Sequence, residues 1–233
     1  MKNIAVILAA GSGSRAGEGL PKQFRRLPSG KTVIETTIDA FERNELIDSI
    51  LVVLAKTDAF FWEEIRQRND WKKVLQTVEG GSERWESSWH AVSAVRNLFP
   101  PEDGDCNVLL HDAARTFVSQ QIINRVCEAL QTNEAVSVAV PMTDTVYTFQ
   151  AGEDGNVLTF IPPRGSLCRA QTPQAFRVPV IYEAYRQALQ SEEGLRATDD
   201  CGIVREQMPQ VSILLVQGEE KNRKLTYAED FTD

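Results

Sequence analysis

Two histidines and four cysteines are the whole supply, in this 233-residue chain, of the side chains that most often bind transition metals or act as soft nucleophiles. The cysteines, Cys106, Cys127, Cys168 and Cys201, lie far apart and form no C-x-x-C pair, which argues against a zinc cluster and, at this length, against a disulfide framework. No apolar run approaches the roughly 20 residues that a membrane span requires. The run over 4–10, behind Lys2, is too short for a signal peptide and ends in a Gly/Ser turn. A cytoplasmic protein without a membrane partner is expected. Basic charge is also in deficit, with 25 Lys and Arg against 33 Asp and Glu and a net charge of -8. That balance argues against broad binding to nucleic acid, although it leaves room for a local basic pocket. Internal repeats and low-complexity linkers are missing too.

What the chain has is enough apolar sequence, 42% of its residues, for one sizeable core. A single domain over 1–233 is expected. Its pattern is an apolar run, a loop and an amphipathic segment, repeated. Strands are expected over 4–10, 49–55, 74–78, 107–111, 135–140 and 211–216. Helices are expected over 32–43, 58–69, 83–98, 120–131, 180–189 and 199–206. Strands alternating with helices imply right-handed parallel units, hence an α/β, Rossmann-like, doubly wound and mostly parallel sheet. Ligands in such sheets bind at the carboxyl ends of the strands. Those ends are Ala9-Ala-Gly11, Gly80-Gly81, His111-Asp112 and the Pro141 to Thr145 segment. The alternation breaks over about 143–176, where 146–149 and 157–161 flank a Gly-rich turn. That is a β-hairpin signal, read as an arm over about 143–166.

The first chemical motif is Leu8-Ala-Ala-Gly-Ser-Gly-Ser-Arg15, followed by Pro21-Lys-Gln23. Glycines directly after a strand let backbone N–H groups approach phosphates. It is not a P-loop, because Lys22 follows Pro21 rather than closing a Gly-Lys-Ser/Thr sequence. A dinucleotide fingerprint can be forced onto Gly11, Gly13 and Ala16. However, Pro21 interrupts the helix it needs, and no acidic residue ends the second strand. Two cations on one phosphate-sized loop, Arg15 and Lys22, favour a phosphate site over a plain Gly-rich turn.

This opening resembles that of the sugar-phosphate nucleotidyltransferases, and later motifs narrow the resemblance. Gly80-Gly-Ser-Glu-Arg-Trp-Glu-Ser87 resembles G-G-x-x-R-x-x-S, His111-Asp-Ala-Ala-Arg115 resembles H-D-A-A-R-P, and Pro141-Met-Thr-Asp-Thr145 resembles P-x-x-D-T. Gln171-Thr-Pro-Gln-Ala-Phe176, Thr198-Asp199 and Asn222-Arg-Lys-Leu-Thr226 match Q-T-P-Q-x-F, T-D and N-I-K-x-T. Each is weak alone, but together they run in order from Ile4 to Asp230. The set is similar to the 2-C-methyl-D-erythritol 4-phosphate cytidylyltransferase family, with ribitol-5-phosphate cytidylyltransferase as its close relative. Two departures are Thr116 in place of Pro, and Asp200-Cys201 in place of the more usual Glu-Ala. The segment 198–204 looks more like the ribitol enzymes, and His111 to Arg115 leans the other way. The acceptor alcohol is left open between the two.

The resemblance implies transfer of CMP from CTP to a sugar-alcohol phosphate, with release of pyrophosphate and a place in isoprenoid biosynthesis. It implies that Ala9, Ala10, Gly11, Ser12 and Gly13 cradle the triphosphate, while Arg15 and Lys22 offset charge at the α-phosphate. Lys224 would reach the same phosphates, and Arg164 would position the attacking phosphate. Gly81, Ser82 and Ser87 would lie near the base and ribose, although Ser87 also suits the first turn of a helix. Asp112, at a strand end, would bind Mg²⁺ or the acceptor hydroxyls. Arg115 would shape the site or touch substrate, and Thr145, Thr172 and Thr198 would hold the acceptor. The attacking phosphate is already ionised, so positioning and electrostatics suffice without a general base. Trp85 and Trp89, four apart, are expected to pack in the core or at an interface, and His90 and His111 to be structural. The arm would form a homodimer, because a lone hairpin is marginal in water. The alternatives are a non-catalytic nucleotide-binding module and an NAD-dependent reductase.

Overall fold

The computed structural model describes residues 1–11, 20–153, 155–191 and 197–231. Its centre is a seven-stranded sheet. Strand β1 (Lys2–Leu8) pairs in parallel with β2 (Ser49–Leu54) on one side and β4 (Cys106–Asp112) on the other, and β3 (Val74–Glu79) extends the β2 side. The chain therefore leaves β1 in one direction through β2 and β3, then returns to the far side of β1 with β4. That reversal between β1 and β4 is the switch point at which such sheets open a crevice.

Beyond β4 the order continues through β8 (Cys168–Arg177), β5 (Ala135–Pro141) and β9 (Ile213–Gln217). Strand β8 is antiparallel to both neighbours, so the sheet is mostly and not wholly parallel. No strand is expected there, because the apolar alternation breaks over about 143–176 and Gln171, Thr172, Pro173 and Gln174 add no apolar run. They are nonetheless in the sheet. Ser137 pairs with Gln174 and Val138 with Gln171, so Thr172 and Pro173 form the extra residues of a bulge. A proline, which has no N–H to give the ladder, is tolerated at such a place. The buried amides of Gln171 and Gln174 are satisfied by side-chain bonds rather than exposed to water.

Helices cover both faces. In β1, Ala5 and Ile7 point into one apolar layer, while Ile4, Val6 and Leu8 point into the other. The first layer is closed by α1 (Val33–Glu42), α2 (Ala59–Arg68) and α4 (Gln120–Ala129). The second is closed by α3 (Arg84–Leu98), α5 (Val178–Gln190) and α6 (Asp200–Gln207). Burial of β1 from Ile4 onward, and of all of β2 and β4, explains their apolar runs. Thr32 starts α1 with a capping box, its hydroxyl accepting from Glu35 N while the Glu35 carboxylate accepts from Thr32 N. Such a cap contributes about 1 kcal/mol. Thr116 is buried and donates to Val33 O at 3.1 Å, which ties the loop after β4 to that same helix. Trp85 and Trp89, both partly buried, pack against the second layer, Trp89 against Tyr182 and Tyr185.

The hairpin forms a separate two-stranded sheet from β6 (Thr148–Gly152) and β7 (Gly155–Phe160). Its strands lie slightly later than 146–149 and slightly earlier than 157–161. Gly155 has φ +124°, a left-handed turn conformation that suits glycine. The hairpin does not gather its apolar side chains on one face. Phe149 pairs with Leu158 and Gln150 with Val157, so apolar side chains emerge from both faces. Tyr147, Phe149, Val157, Leu158, Phe160 and Ile161 are all exposed.

Candidate active site

A cleft of about 460 Å³ opens at the carboxyl ends of β1, β3 and β4. Leu8 and Asp112, the last residues of β1 and β4, are register partners and form its floor. Ala9 continues the pairing by donating to Val53 O, and Ala10 and Gly11 follow it along the wall. The opposite wall is Gly81, Ser82, Glu83, Arg84 and Ser87, from the turn after β3 and the start of α3. A Cβ on Gly80 would stand 2.3 Å from Ala10 Cβ and 2.9 Å from Ser87 Oγ, so the two walls meet this closely only because residue 80 is glycine. Ser87 Oγ accepts from Gly81 N at 3.1 Å and donates to Glu83 O at 3.3 Å. Glu86 accepts from both Ser82 N (2.6 Å) and Ser82 Oγ (2.7 Å), which fixes the turn from outside.

Lys22 reaches the cleft from a short 3-10 turn, Lys22–Phe24. Its neighbours anchor it: Phe24 is buried, and buried Gln23 donates to Asp58 Oδ2 at 2.9 Å. Lys224 enters from the C-terminal segment and donates to Asp112 Oδ2 at 2.6 Å. That segment is held by Leu225 N on Ala114 O (2.8 Å) and by Asn222 Nδ2 on Thr172 O (2.9 Å). Arg115 completes the tie, donating to Asn222 O at 3.0 Å and Ala170 O at 3.2 Å.

Asp112 is buried and ion-paired with two cations, Lys224 and Arg84, whose Nε lies 3.2 Å from Oδ1. Burial opposes ionisation of its carboxyl, but the charges of Arg84 and Lys224 outweigh burial and hold its pKa below the usual carboxylate range. Beneath it, Asp112 N donates to Thr172 Oγ1 at 3.2 Å, and Thr172 Oγ1 lies 3.0 Å from His111 Nδ1. Burial pushes the His111 imidazole down to about 4, so it is neutral near pH 7. Its Nε2 faces Arg115 O, which can only accept; the proton is therefore on Nε2, and Nδ1 accepts from Thr172. His111 is structural, as its sequence context implies.

Of the residues singled out in the sequence, the cleft gathers Ala9, Ala10, Gly11, Lys22, Gly81, Ser82, Ser87, Asp112 and Lys224. Ser12, Gly13 and Arg15 lie outside the described residues. Thr172 and Arg115 support the floor and its C-terminal clamp rather than line the cleft. Thr145 and Thr198 are exposed and outside the lining. Arg164 is likewise away from it, with Nη1 on Thr143 O at 3.1 Å. The loop 141–145 is thus the one strand end of the four that does not join the cleft wall among the described residues.

The match to known proteins is extensive. The family profile of IspD, 2-C-methyl-D-erythritol 4-phosphate cytidylyltransferase, covers residues 3–233. The chain belongs to this family. It is 40% identical over 227 residues to the 2-C-methyl-D-erythritol 4-phosphate cytidylyltransferase of Thermobifida fusca, covering 97% of this chain and 89% of that one. It is 36% identical to the bifunctional ribulose 5-phosphate reductase/CDP-ribitol pyrophosphorylase Bcs1 of Haemophilus influenzae, covering 97% of this chain but 46% of that longer one. Among solved structures, the 4-diphosphocytidyl-2C-methyl-D-erythritol synthase of Anaerococcus prevotii superposes with a TM-score of 0.83 at 31% identity, covering 99% of this chain and 92% of that chain. The reductase alternative and the non-catalytic module are not favoured by this membership in a cytidylyltransferase family.

Several residues of the cleft and its floor were not singled out from the sequence. Arg84 is the arginine of the G-G-x-x-R-x-x-S motif, yet its contact with Asp112 depends on two loops from different crossovers meeting. Gln23, Glu83 and Thr226 also line the cleft. Asp200 appears in the sequence only as a departure from a motif, and nothing local to it announces a partner 116 positions earlier.

Proposed function

We propose that the chain transfers CMP from CTP to 2-C-methyl-D-erythritol 4-phosphate, releasing pyrophosphate. The observation that carries this is the cleft at the β1/β4 switch point, where Lys22 and Lys224 face a Gly-rich wall and the ionised Asp112 carboxylate on the floor, in a chain of the IspD family. The walls of Ala9, Ala10 and Gly11 suit a triphosphate, and Gly81, Ser82 and Ser87 suit the base and ribose. An acceptor phosphate oxygen attacks the α-phosphorus, and the bond from that phosphorus to the bridging oxygen of the leaving pyrophosphate breaks. Lys22, Lys224 and Arg15 offset the charge that builds on the phosphoryl oxygens. Asp112 accepts from acceptor hydroxyls.

Mg²⁺ fits this donor set as an ion borne mainly by the triphosphate. Among the described residues no cluster of three or more His, Cys, Asp or Glu could hold a metal, and Asp112 is the carboxylate on the floor. Mg²⁺ characteristically takes one or two carboxylates with phosphates and water, and it would neutralise phosphate charge. The hairpin supports a homodimer, since its exposed apolar side chains need cover. Arg164, beyond the hairpin and away from this chain's cleft, would then serve the site of the second copy. Among the described residues no helix is long and apolar enough to cross a membrane.

Pyrophosphate release from CTP, UTP and GTP, each with methylerythritol phosphate or ribitol 5-phosphate, tests the reading. Turnover is expected with CTP and methylerythritol phosphate. No release with either acceptor sinks it, while release with ribitol 5-phosphate alone moves the acceptor toward the chemistry named for the Haemophilus relative.

A further inference from the structure

Arg84 joins two carboxylates of opposite character. Its Nε lies 3.2 Å from Asp112 Oδ1 on the cleft floor, and its Nη1 lies 2.8 Å from Asp200 Oδ2. The Arg84 side chain is 30% exposed, whereas that of Asp200 is 0% exposed. Asp200, the first residue of α6, is held by two hydrogen bonds, and a third holds its neighbour Asp199. Tyr185 OH donates to Oδ1 at 2.7 Å, Gln174 Oε1 accepts from Asp200 N at 3.0 Å, and Gln174 Nε2 binds the adjacent Asp199 at 2.6 Å. The position is one of the two at which the chain departs from the family motif.

An ion pair whose carboxylate is fully buried is a poor source of stability, because desolvation consumes most of the attraction. A positional role explains it better. An arginine fork facing one carboxylate tends to take both oxygens in a bidentate pair. With Asp200 drawing Nη1 inward, Arg84 meets Asp112 through Nε alone. Asp112 then keeps acceptor capacity toward the cleft, because an ionised carboxylate has about four lone-pair sites.

We propose that Asp200 is a positioning residue for the acceptor substrate: it divides the Arg84 guanidinium, and so leaves Asp112 able to accept hydroxyls of a polyol phosphate. This rests on the reaction proposed above. Tyr185 and Gln174 extend the arrangement into the core, linking α5 and β8 to a contact on the cleft floor.

Separate KM values for acceptor and CTP in Asp200→Asn, in Arg84→Gln and in the double variant test it. Asp200→Asn is expected to raise the acceptor KM about tenfold, to leave the CTP KM within about twofold, and to add nothing in the Arg84→Gln background. Equal changes in both KM values, or penalties that multiply in the double variant, overturn the proposal. Should Asp200→Asn not fold, Tyr185→Phe removes the hydroxyl on Oδ1 while keeping the ring; a rise of about threefold confined to the acceptor is expected, and no change overturns it. A readout free of turnover is the Arg84 Nε–H signal in ¹⁵N-arginine-labelled protein, assigned by its loss in Arg84→Gln. Slow solvent exchange that becomes fast in Asp200→Asn or Tyr185→Phe supports the proposal, and unaltered exchange overturns it. Wild-type protein that releases no pyrophosphate sinks the proposed reaction instead, and the Arg84 signal then decides the positioning claim by itself.

Discussion

The ammonium of Lys224 lies 2.6 Å from Asp112 Oδ2, across 112 positions of sequence. This pair closes the cleft floor with a charge from the C-terminal segment, and the lysine side chain remains 36% exposed. Lys224→Ala is therefore expected to lower kcat by about a hundredfold or more without unfolding the protein. Lys22→Ala should do the same, and Lys22→Arg should also be impaired, because a planar guanidinium does not replace a compact ammonium. Pyrophosphate release and thermal denaturation, run side by side, check this. Unchanged turnover in a variant removes that lysine from the reaction.

Gly80 carries a steric prediction. A Cβ there would overlap Ala10 Cβ at 2.3 Å, so Gly80→Ala must push the two cleft walls apart. A loss of about tenfold or more in kcat/KM for CTP is expected, because displacement of positioning groups by even an ångström is costly. Steady-state kinetics at saturating acceptor decide it, and a variant with wild-type CTP kinetics contradicts the close approach.

His111 gives the protein a pH-dependent stability. Burial lowers its pKa to about 4 from 6.5, so between those values the unfolded chain binds more protons than the folded one. Stability therefore rises with pH through this window, is fully present above about 6.5, and is lost as pH falls toward 4. The full effect is on the order of 3 kcal/mol. Urea midpoints should fall between pH 7 and pH 5, before depressed carboxylates such as Asp112 contribute. The His111→Gln variant should be weaker at pH 7 but show a flatter profile. Parallel profiles for the two proteins would assign the slope elsewhere.

The hairpin is expected to hold two copies together. Replacing 147–158 by a Gly-Ser bridge removes Tyr147, Phe149, Val157 and Leu158, four of its exposed apolar residues. Sedimentation should then show a monomer, with activity reduced if Arg164 works in the second copy's site. A deletion variant that remains dimeric and fully active would show that the hairpin is neither interface nor part of the site.

The sequence by itself determined the doubly wound architecture and the address of the cleft. Buried parallel strands leave unbroken apolar runs such as 4–10 and 49–55, and the Gly-rich or polar residues that follow them mark the carboxyl ends where ligands bind. Asp112 was legible for that reason, being the last residue of its strand, and Lys22 and Arg15 as the two cations of the Gly-rich loop after β1. Lys224 was legible only through motif resemblance, and Arg15 lies outside the described residues. Only the tertiary structure decided the rest. Strand β8 was hidden because its polar residues are satisfied by partners far along the chain, Glu219, Asn222 and Asp199, rather than by water. Thr172 was placed beneath the floor instead of in the cleft by its bond to Asp112 N and its neighbour His111. The Arg84–Asp200 pair joins the starts of α3 and α6, which become neighbours only when both helices pack on one face of the sheet. Periodicity reports which face of an element is buried, but not which charged group meets another across the fold.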